Sequence, residues 1–207
     1  MAAVIFDFDG TIGDSFGLIV DIFHNITKRE ERLTDQEMAE LRGFPLAVVA
    51  HRLKVPAWRI PYLLIRGRYL MGKRMREVTL FEGMGKVIEE LHAEGHELFI
   101  VSSNSGRNVK KFLKQHHLYK YFVEVRGNAG LLGKSRAISK LLKSNSLRTK
   151  ESIYVGDETR DIVATKAINL RCIAVSWGFA ETAFLESLQP AAVAYKPQDI
   201  VTILEEL

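Results

Sequence analysis

The sequence predicts a three-layer α/β/α fold with a mainly parallel sheet, carrying an inserted α-helical segment. Three observations predict it. From Gly83 onward, short apolar runs alternate with helix-like stretches. The first apolar run, Ala2-Ala-Val-Ile-Phe6, stops at acids, as a buried strand does when its carboxyl end opens on a site. Between the two regions, residues 14–80 show helical spacing and no convincing strand.

The elements follow in order. Phe16, Ile19, Val20 and Phe23 recur at helical spacing, and so do Leu46, Val49 and Leu53. Pro45, Pro56 and Pro61 mark helix starts or breaks. Gly83 to Ala93 reads as a helix, Glu97 to Val101 as a strand, and Asn108 to His116 as a helix. Tyr121 to Val125 is a strand and Ser135 to Lys143 a helix. Ser152 to Val155 and Asp161 to Ile168 repeat the pair, as do Arg171 to Val175 and Glu181 to Leu188. Ala191 to Tyr195 reads as a last edge strand, with a helix from Gln198. Alternation of this kind implies right-handed crossovers and a parallel sheet covered on both faces, of the Rossmann-like type. Ligands bind such folds at the carboxyl ends of the strands. The expected division is a core of residues 1–13 and 81–207, with residues 14–80 inserted.

At 207 residues the chain suits one core with a smaller insertion, and 47% apolar with 26% charged residues is a soluble balance. No apolar run approaches the roughly 20 residues that span a membrane, and no basic leader precedes Asp7. Cys172, the single cysteine, has no internal partner, so a reducing, cytoplasmic setting is expected; it reads as a small apolar strand residue. The net charge of +4 is uneven. No acid lies between Glu40 and Glu77, while Arg42, Arg52, Lys54, Arg59, Arg66, Arg68, Lys73, Arg74 and Arg76 do. Such a block attracts an anionic substrate or polyanion, or simply forms a solvated helical surface.

Four segments each follow an expected strand. In Asp7-Phe8-Asp9-Gly10-Thr11, period-two spacing sets both carboxylates on one side of an extended backbone. Their repulsion calls for a cation, and Mg²⁺ is the usual hard cation beside phosphates. Asp7 then has the character of a nucleophile, Asp9 that of a proton donor and acceptor, and Gly10 allows close backbone approach. A strand-end Asx turn explains the same run about equally well on its own. In Val101-Ser102-Ser103-Asn104-Ser105, a hydroxyl and backbone N–H groups ahead of a helix suit a phosphate, though helix capping alone accounts for them better. In Gly133-Lys134-Ser135, Lys134 would neutralise phosphate and Asp7. The nucleotide-binding loop G-x-x-x-x-G-K-[ST] is excluded, because Asn128 stands where its first glycine belongs. In Val155-Gly-Asp-Glu-Thr-Arg-Asp161, Asp157 completes a metal site and Asp161 holds a metal-bound water or orients Lys134. Glu158 fits an acidic first helical turn that matches the helix dipole.

Each segment is weak alone, and the ordered set is far more specific. On these runs, with Asp14-Ser15 and Leu80-Phe-Glu-Gly-Met, the chain resembles the haloacid dehalogenase superfamily, in its branch similar to phosphoglycolate phosphatases. Glu82 stands where proline is common in that family, and Ser102 where threonine is. The resemblance implies a Mg²⁺-dependent phosphatase acting on a small phosphorylated metabolite. Asp7 would be nucleophile and metal ligand, and Asp9 general acid/base and ligand through its backbone carbonyl. Ser102, Ser103, Asn104 and Gly10 would hold phosphate with Lys134, and Asp157 and Asp161 would serve the metal. The insertion would be a small helical cap, in which Arg66, Arg68, Lys73 and Arg74 are candidates for the substrate's leaving group. Trp58, Tyr62 and Tyr69 are expected in the cap's core, and a nucleic-acid partner is not expected. Intramolecular phosphotransfer on a sugar phosphate and a non-catalytic binding module are the alternatives; the second would require loss of Asp7, Asp9, Lys134 or Asp157, and all are present.

Overall fold

A computed structural model of the chain describes residues 1–27, 33–34, 37, 51–53, 55–130 and 133–207. Six parallel strands form the sheet: β1 (Ala3–Phe6), β4 (Glu97–Val101), β5 (Phe122–Arg126), β6 (Ser152–Gly156), β7 (Arg171–Val175) and β8 (Ala192–Ala194). Two further strands, β2 (Gly13–Asp14) and β3 (Thr79–Leu80), pair antiparallel as a separate ribbon. The sheet order is β5-β4-β1-β6-β7-β8. The chain therefore runs outward on one side of β1, then returns and runs outward on the other. Such a reversal leaves a crevice at the carboxyl ends of the central strands, where ligands bind.

Burial explains why β1 is central. All four of its residues are buried, and they alternate between two apolar layers. Val4 and Phe6 face a cluster with residues of α3 (Met84–Ala93), α4 (Gly106–Gln115) and α8 (Asp199–Glu206). Ala3 and Ile5 face the opposite cluster, built with α5 (Lys134–Ser144), α6 (Thr159–Lys166) and α7 (Thr182–Ser187). Strands covered on both faces read as continuous apolar runs, which is why these were legible. Phe6 lies in register with Ile100 on β4 and with Val155 on β6. The residues that follow β1, β4 and β6, namely Asp7, Ser102 and Asp157, consequently emerge side by side.

Between β2 and β3 lie α1 (Phe16–Thr27) and α2 (Ile60–Lys73), the latter preceded by a 3₁₀ turn at Ala57–Arg59. Pro56 caps that turn and Pro61 sits in the first turn of α2, where a missing N–H costs no helical bond. The expected helix around Pro45, Leu46 and Val49 lies outside the described residues, as do Arg42 and Lys54.

Two expectations change. The ribbon β2–β3 was not foreseen, because two residues are too short for an alternating pattern. The helix expected at Phe16, Ile19, Val20 and Phe23 is α1; its buried residues are Leu18, Ile22 and His24, and those four are half-buried. Trp58, Tyr62 and Tyr69 are exposed on α2 and the turn before it, at 79%, 55% and 52% of their surface, rather than packed inside. Arg59 lies over Trp58, and Arg66 and Lys73 over Tyr69, so two of these three exposed rings carry cations on a face.

Phe8 shows how the core supports the strand end. Its ring is buried and meets Phe112 of α4 edge-on, with centroids 5.0 Å apart. Truncation by Phe8→Ala should cost about 3–5 kcal/mol of unfolding free energy in urea, the usual cost of a large buried ring. A loss below about 1 kcal/mol would show that this ring does not anchor the turn.

Candidate active site

The turn after β1 is held almost wholly by its own backbone. The N–H groups of Thr11, Ile12 and Gly13 converge on the Phe8 carbonyl, and Gly10 N–H donates to the Gly13 carbonyl at 2.9 Å. Gly10 has φ +79°, and a Cβ there would stand 2.1 Å from Asp157 Oδ2. Only glycine allows both that conformation and that approach. This turn sends the two acids into different surroundings.

Asp7 sits in a cluster. Its backbone N–H donates to the Val155 carbonyl at 2.8 Å, and its Oδ1 accepts from Phe8 N–H at 2.7 Å. Its Oδ2 is ion-paired with Lys134 Nζ, which also pairs with Asp161 Oδ1. All three side chains are buried. Among the described residues, Asp7, Asp157 and Asp161 offer carboxylate oxygens within 4.8 Å of one another. Asp157 is further fixed by Thr11 Oγ1 at 2.7 Å and by the Phe179 N–H at 2.9 Å. Asp161 Oδ2 accepts from the Glu158 N–H at 3.1 Å.

Asp9 points elsewhere. Its carboxylate accepts from Ser15 Oγ at 2.8 Å and from the Asn104 amide at 3.0 and 3.2 Å. Burial, with the nearby charge of Asp7, pushes its carboxyl up to about 6, although Ser15 and Asn104 hold it down. Burial also raises Asp7, against the pull of Lys134. Asp157 is raised well above the usual range by burial and by Glu158, Asp7 and Asp161. Burial works against the charge on Lys134, but Asp161 and Asp7 outweigh it and hold its ammonium above the ordinary value.

Two features escaped the sequence reading. Arg160 is paired with Glu158 and reaches Ser103 Oγ at 3.4 Å, adding a cation beside the cluster. Glu158 stands at the start of α6, as expected, and is also a shielded partner of Arg160. Among the described residues, Asp7, Asp157, Glu158 and Asp161 thus crowd around the two cations Lys134 and Arg160, with Asp9 a fifth buried acid close by. That excess of negative charge and the all-oxygen donor set suit a hard divalent cation held by Asp7, Asp157 and Asp161.

The other expected residues are placed as follows. Ser102 is buried, with its Oγ accepting from Asn104 N–H at 3.0 Å, and Ser103 lies beside Arg160. Arg66 and Arg74 line a cleft between α1 and α2 with Ile22, Asn25, Ile26, Tyr62 and Leu70. Arg74 is engaged by Asp21 and Glu77, and Lys73 lies over Tyr69. The Arg68 carbonyl accepts from Asn108 of α4. Cys172 is buried in β7 and burial pushes its thiol up to about 12, far from a reactive thiolate.

A pH dependence follows. A carboxyl raised from 3.8 to about 6 binds its proton more tightly in the folded state. The stability this contributes is complete below 3.8 and is lost as pH rises through about 6, an effect of roughly 3 kcal/mol. Urea titrations in EDTA should therefore show wild-type stability falling over that window by more than Asp9→Asn falls. Parallel curves for the two proteins would contradict the assigned environment of Asp9.

Comparison with known proteins bears on this arrangement. A family model for haloacid dehalogenase-like hydrolase matches residues 4–175. The chain is 31% identical to a phosphoglycolate phosphatase from Synechococcus elongatus, covering 100% of this chain and 99% of that one. It is 24% identical to the pyrophosphatase PpaX of Bacillus mycoides, over 99% and 97% of the two chains. Its fold matches a haloacid dehalogenase-like family hydrolase from Streptococcus pneumoniae with a TM-score of 0.82, at 22% identity over 98% and 97% of the chains. Strand order, clustered acids and these matches agree, and the chain belongs to the haloacid dehalogenase-like hydrolase family.

Proposed function

We propose that this protein is a Mg²⁺-dependent phosphatase that hydrolyses a small phosphorylated metabolite through an aspartyl-phosphate on Asp7. The carrying observation is the separation of the two acids. Asp7 lies in the carboxylate cluster beside Lys134, whereas Asp9 lies apart on Ser15 and Asn104. Two carboxyls in different environments take different tasks.

Mg²⁺ held by Asp7 and Asp157, with Asp161 behind them, would neutralise phosphate charge and relieve the crowding of the acids. An Asp7 oxygen attacks phosphorus while the bond to the leaving oxygen breaks. Asp9 gives its proton to that oxygen, so the product leaves as an alcohol. Asp9, now ionised, takes a proton from water as the water oxygen attacks the aspartyl-phosphate. The Asp7–phosphorus linkage opens, free phosphate leaves, and Asp9 is again protonated. Lys134 balances charge on Asp7 throughout. Ser102 and Ser103, with the open backbone at Gly10, cradle the phosphate oxygens. The Asn104 amide is committed to Asp9, which assigns it to the acid rather than to phosphate.

In this reading, residues 1–13 and 81–207 are the catalytic core and residues 14–80 a helical cap that selects the leaving group. Arg66, Arg68 and Lys73 remain the cap cations for a second anionic group on the substrate. Arg74 instead ties α1 to the end of α2 through Asp21 and Glu77. The names of the relatives make phosphoglycolate and pyrophosphate the first compounds to assay.

Phosphate release should require Mg²⁺ and be abolished by EDTA. Asp7→Asn should lower kcat by at least about 10³-fold, the scale on which loss of a nucleophile acts. Equal turnover by wild type and Asp7→Asn would falsify the nucleophile assignment, and an isomerised sugar phosphate in place of free phosphate would replace hydrolysis by transfer. Asp9→Asn should slow an alkyl phosphate by about 10²–10⁴-fold, and p-nitrophenyl phosphate far less, because only the alkoxide needs a proton to leave. Equal losses on both esters would remove Asp9 from the proton-donor position.

A further inference from the structure

The first turns of α4 touch both the inserted segment and the proposed acid. Asn108 is buried, and its two amide hydrogens go in opposite directions. One is donated to the Arg68 carbonyl of α2 at 2.9 Å, the other to Asn104 Oδ1 at 3.0 Å. Asn104 Oδ1 also accepts the Ser105 N–H at 2.8 Å. Asn104 Nδ2 then bridges both Asp9 oxygens and lies 3.0 Å from Met71 Sδ of α2. An unbroken series of polar contacts thus runs from the α2 backbone through Asn108 and Asn104 to Asp9.

The direction of each amide is dictated by its neighbours. Turning Asn108 over would set its oxygen against two carbonyl oxygens. Turning Asn104 over would set its oxygen against a carboxylate and its amide against two donors. Each asparagine therefore has one satisfactory orientation, and the orientation of Asn104 depends on Asn108. The far side of Asn108 is equally confined. A Cβ on Gly72 of α2 would stand 2.5 Å from Asn108 Oδ1, so only glycine lets the helix settle at this distance. Lys111 Nζ, one turn further along α4, donates to the Gly72 carbonyl at 2.8 Å and holds the same stretch of α2. Buried amides whose donors are all engaged tolerate little displacement, because each broken bond leaves an uncompensated polar group.

We propose that Asn108 is a positioning residue that aims the Asp9 carboxyl through Asn104, and that it does so only while α2 is seated on α4. The proposal rests on the reading of Asp9 as the proton donor. Its consequence is specific. With α2 displaced, Asn108 loses the Arg68 carbonyl, Asn104 loses its fixed partner, and the acid loses its aim. Attack by Asp7 is not served by these contacts and continues. Departure of a poor leaving group suffers.

The test compares leaving groups. Asn108→Asp keeps the shape of the side chain, removes both donors and sets an oxygen against two carbonyl oxygens. On phosphoglycolate its kcat should fall about 10-fold or more, part of the loss caused by removing the acid itself. On p-nitrophenyl phosphate kcat should fall less than about 3-fold, with KM for both esters little changed, since the acid matters least for a good leaving group. In an Asp9→Asn background, Asn108→Asp should add no further preference between the esters. Gly72→Ala leaves every catalytic group intact, presses on the same amide from α2, and should show the same selective loss. It carries the comparison if Asn108→Asp fails to fold, as judged by circular dichroism. Equal slowing of both esters by either variant, or selectivity that persists undiminished in the Asp9→Asn background, overturns the positioning role. If Asp9→Asn itself shows no preference between esters, the proton-donor reading has failed and the positioning role goes with it.

Discussion

The central constraint is the burial of like charge. Asp7, Asp157 and Asp161 are brought within 4.8 Å by two strand ends and one helix turn, in a place almost closed to water. Carboxylates at that spacing repel by several kcal/mol at the effective dielectric of a protein. Lys134 stands between Asp7 and Asp161 and gives each a partner. Removing one member of a buried ion pair costs about 3–5 kcal/mol, so this lysine supports the fold as well as standing beside the proposed nucleophile. Even so, two cations do not balance five acids. The residual imbalance explains the raised carboxyls and makes the site chemically suited to a hard cation.

Topology makes this crowding possible. Because β1 lies between β4 and β6, the residues following all three strands meet at one place without any long loop reaching across. The hydrogen bonds that fix the site span large distances in sequence. Thr11 holds Asp157 across 146 residues, and Asn104 holds Asp9 across 95. Each is a side-chain bond inside the core, and each depends on strands paired in register. The site is therefore as stable as the centre of the sheet.

Those separations also decide what was legible beforehand. Asp7, Lys134 and Asp157 could be read because each follows a recognisable apolar run or opens a helix, a local signal. The parallel sheet was readable for the same reason, since strands covered on both faces carry continuous apolar runs. The pairing of Arg160 with Glu158 carried no such signal, because an acid in a first helical turn looks the same whether solvated or shielded. Nor did the commitment of Asn104 to Asp9, which depends on where two distant strands end. The expectation that Trp58, Tyr62 and Tyr69 are inside failed for a general reason. Apolar and aromatic groups still supply much of a protein's exterior, so hydrophobic character alone does not place a side chain.

The two-residue ribbon β2–β3 has a consequence for how such an enzyme diversifies. It sets Gly13 opposite Leu80, so the chain leaves the core and returns to it at one point. Doubling the length of a chain segment closed in this way adds only about 0.6 kcal/mol of entropic cost. The segment can be lengthened, shortened or exchanged while the strands of the main sheet keep their register. Under the proposed division into core and cap, the joint is a splice site: substrate preference would be rewritten on one side of it, and the reaction kept on the other.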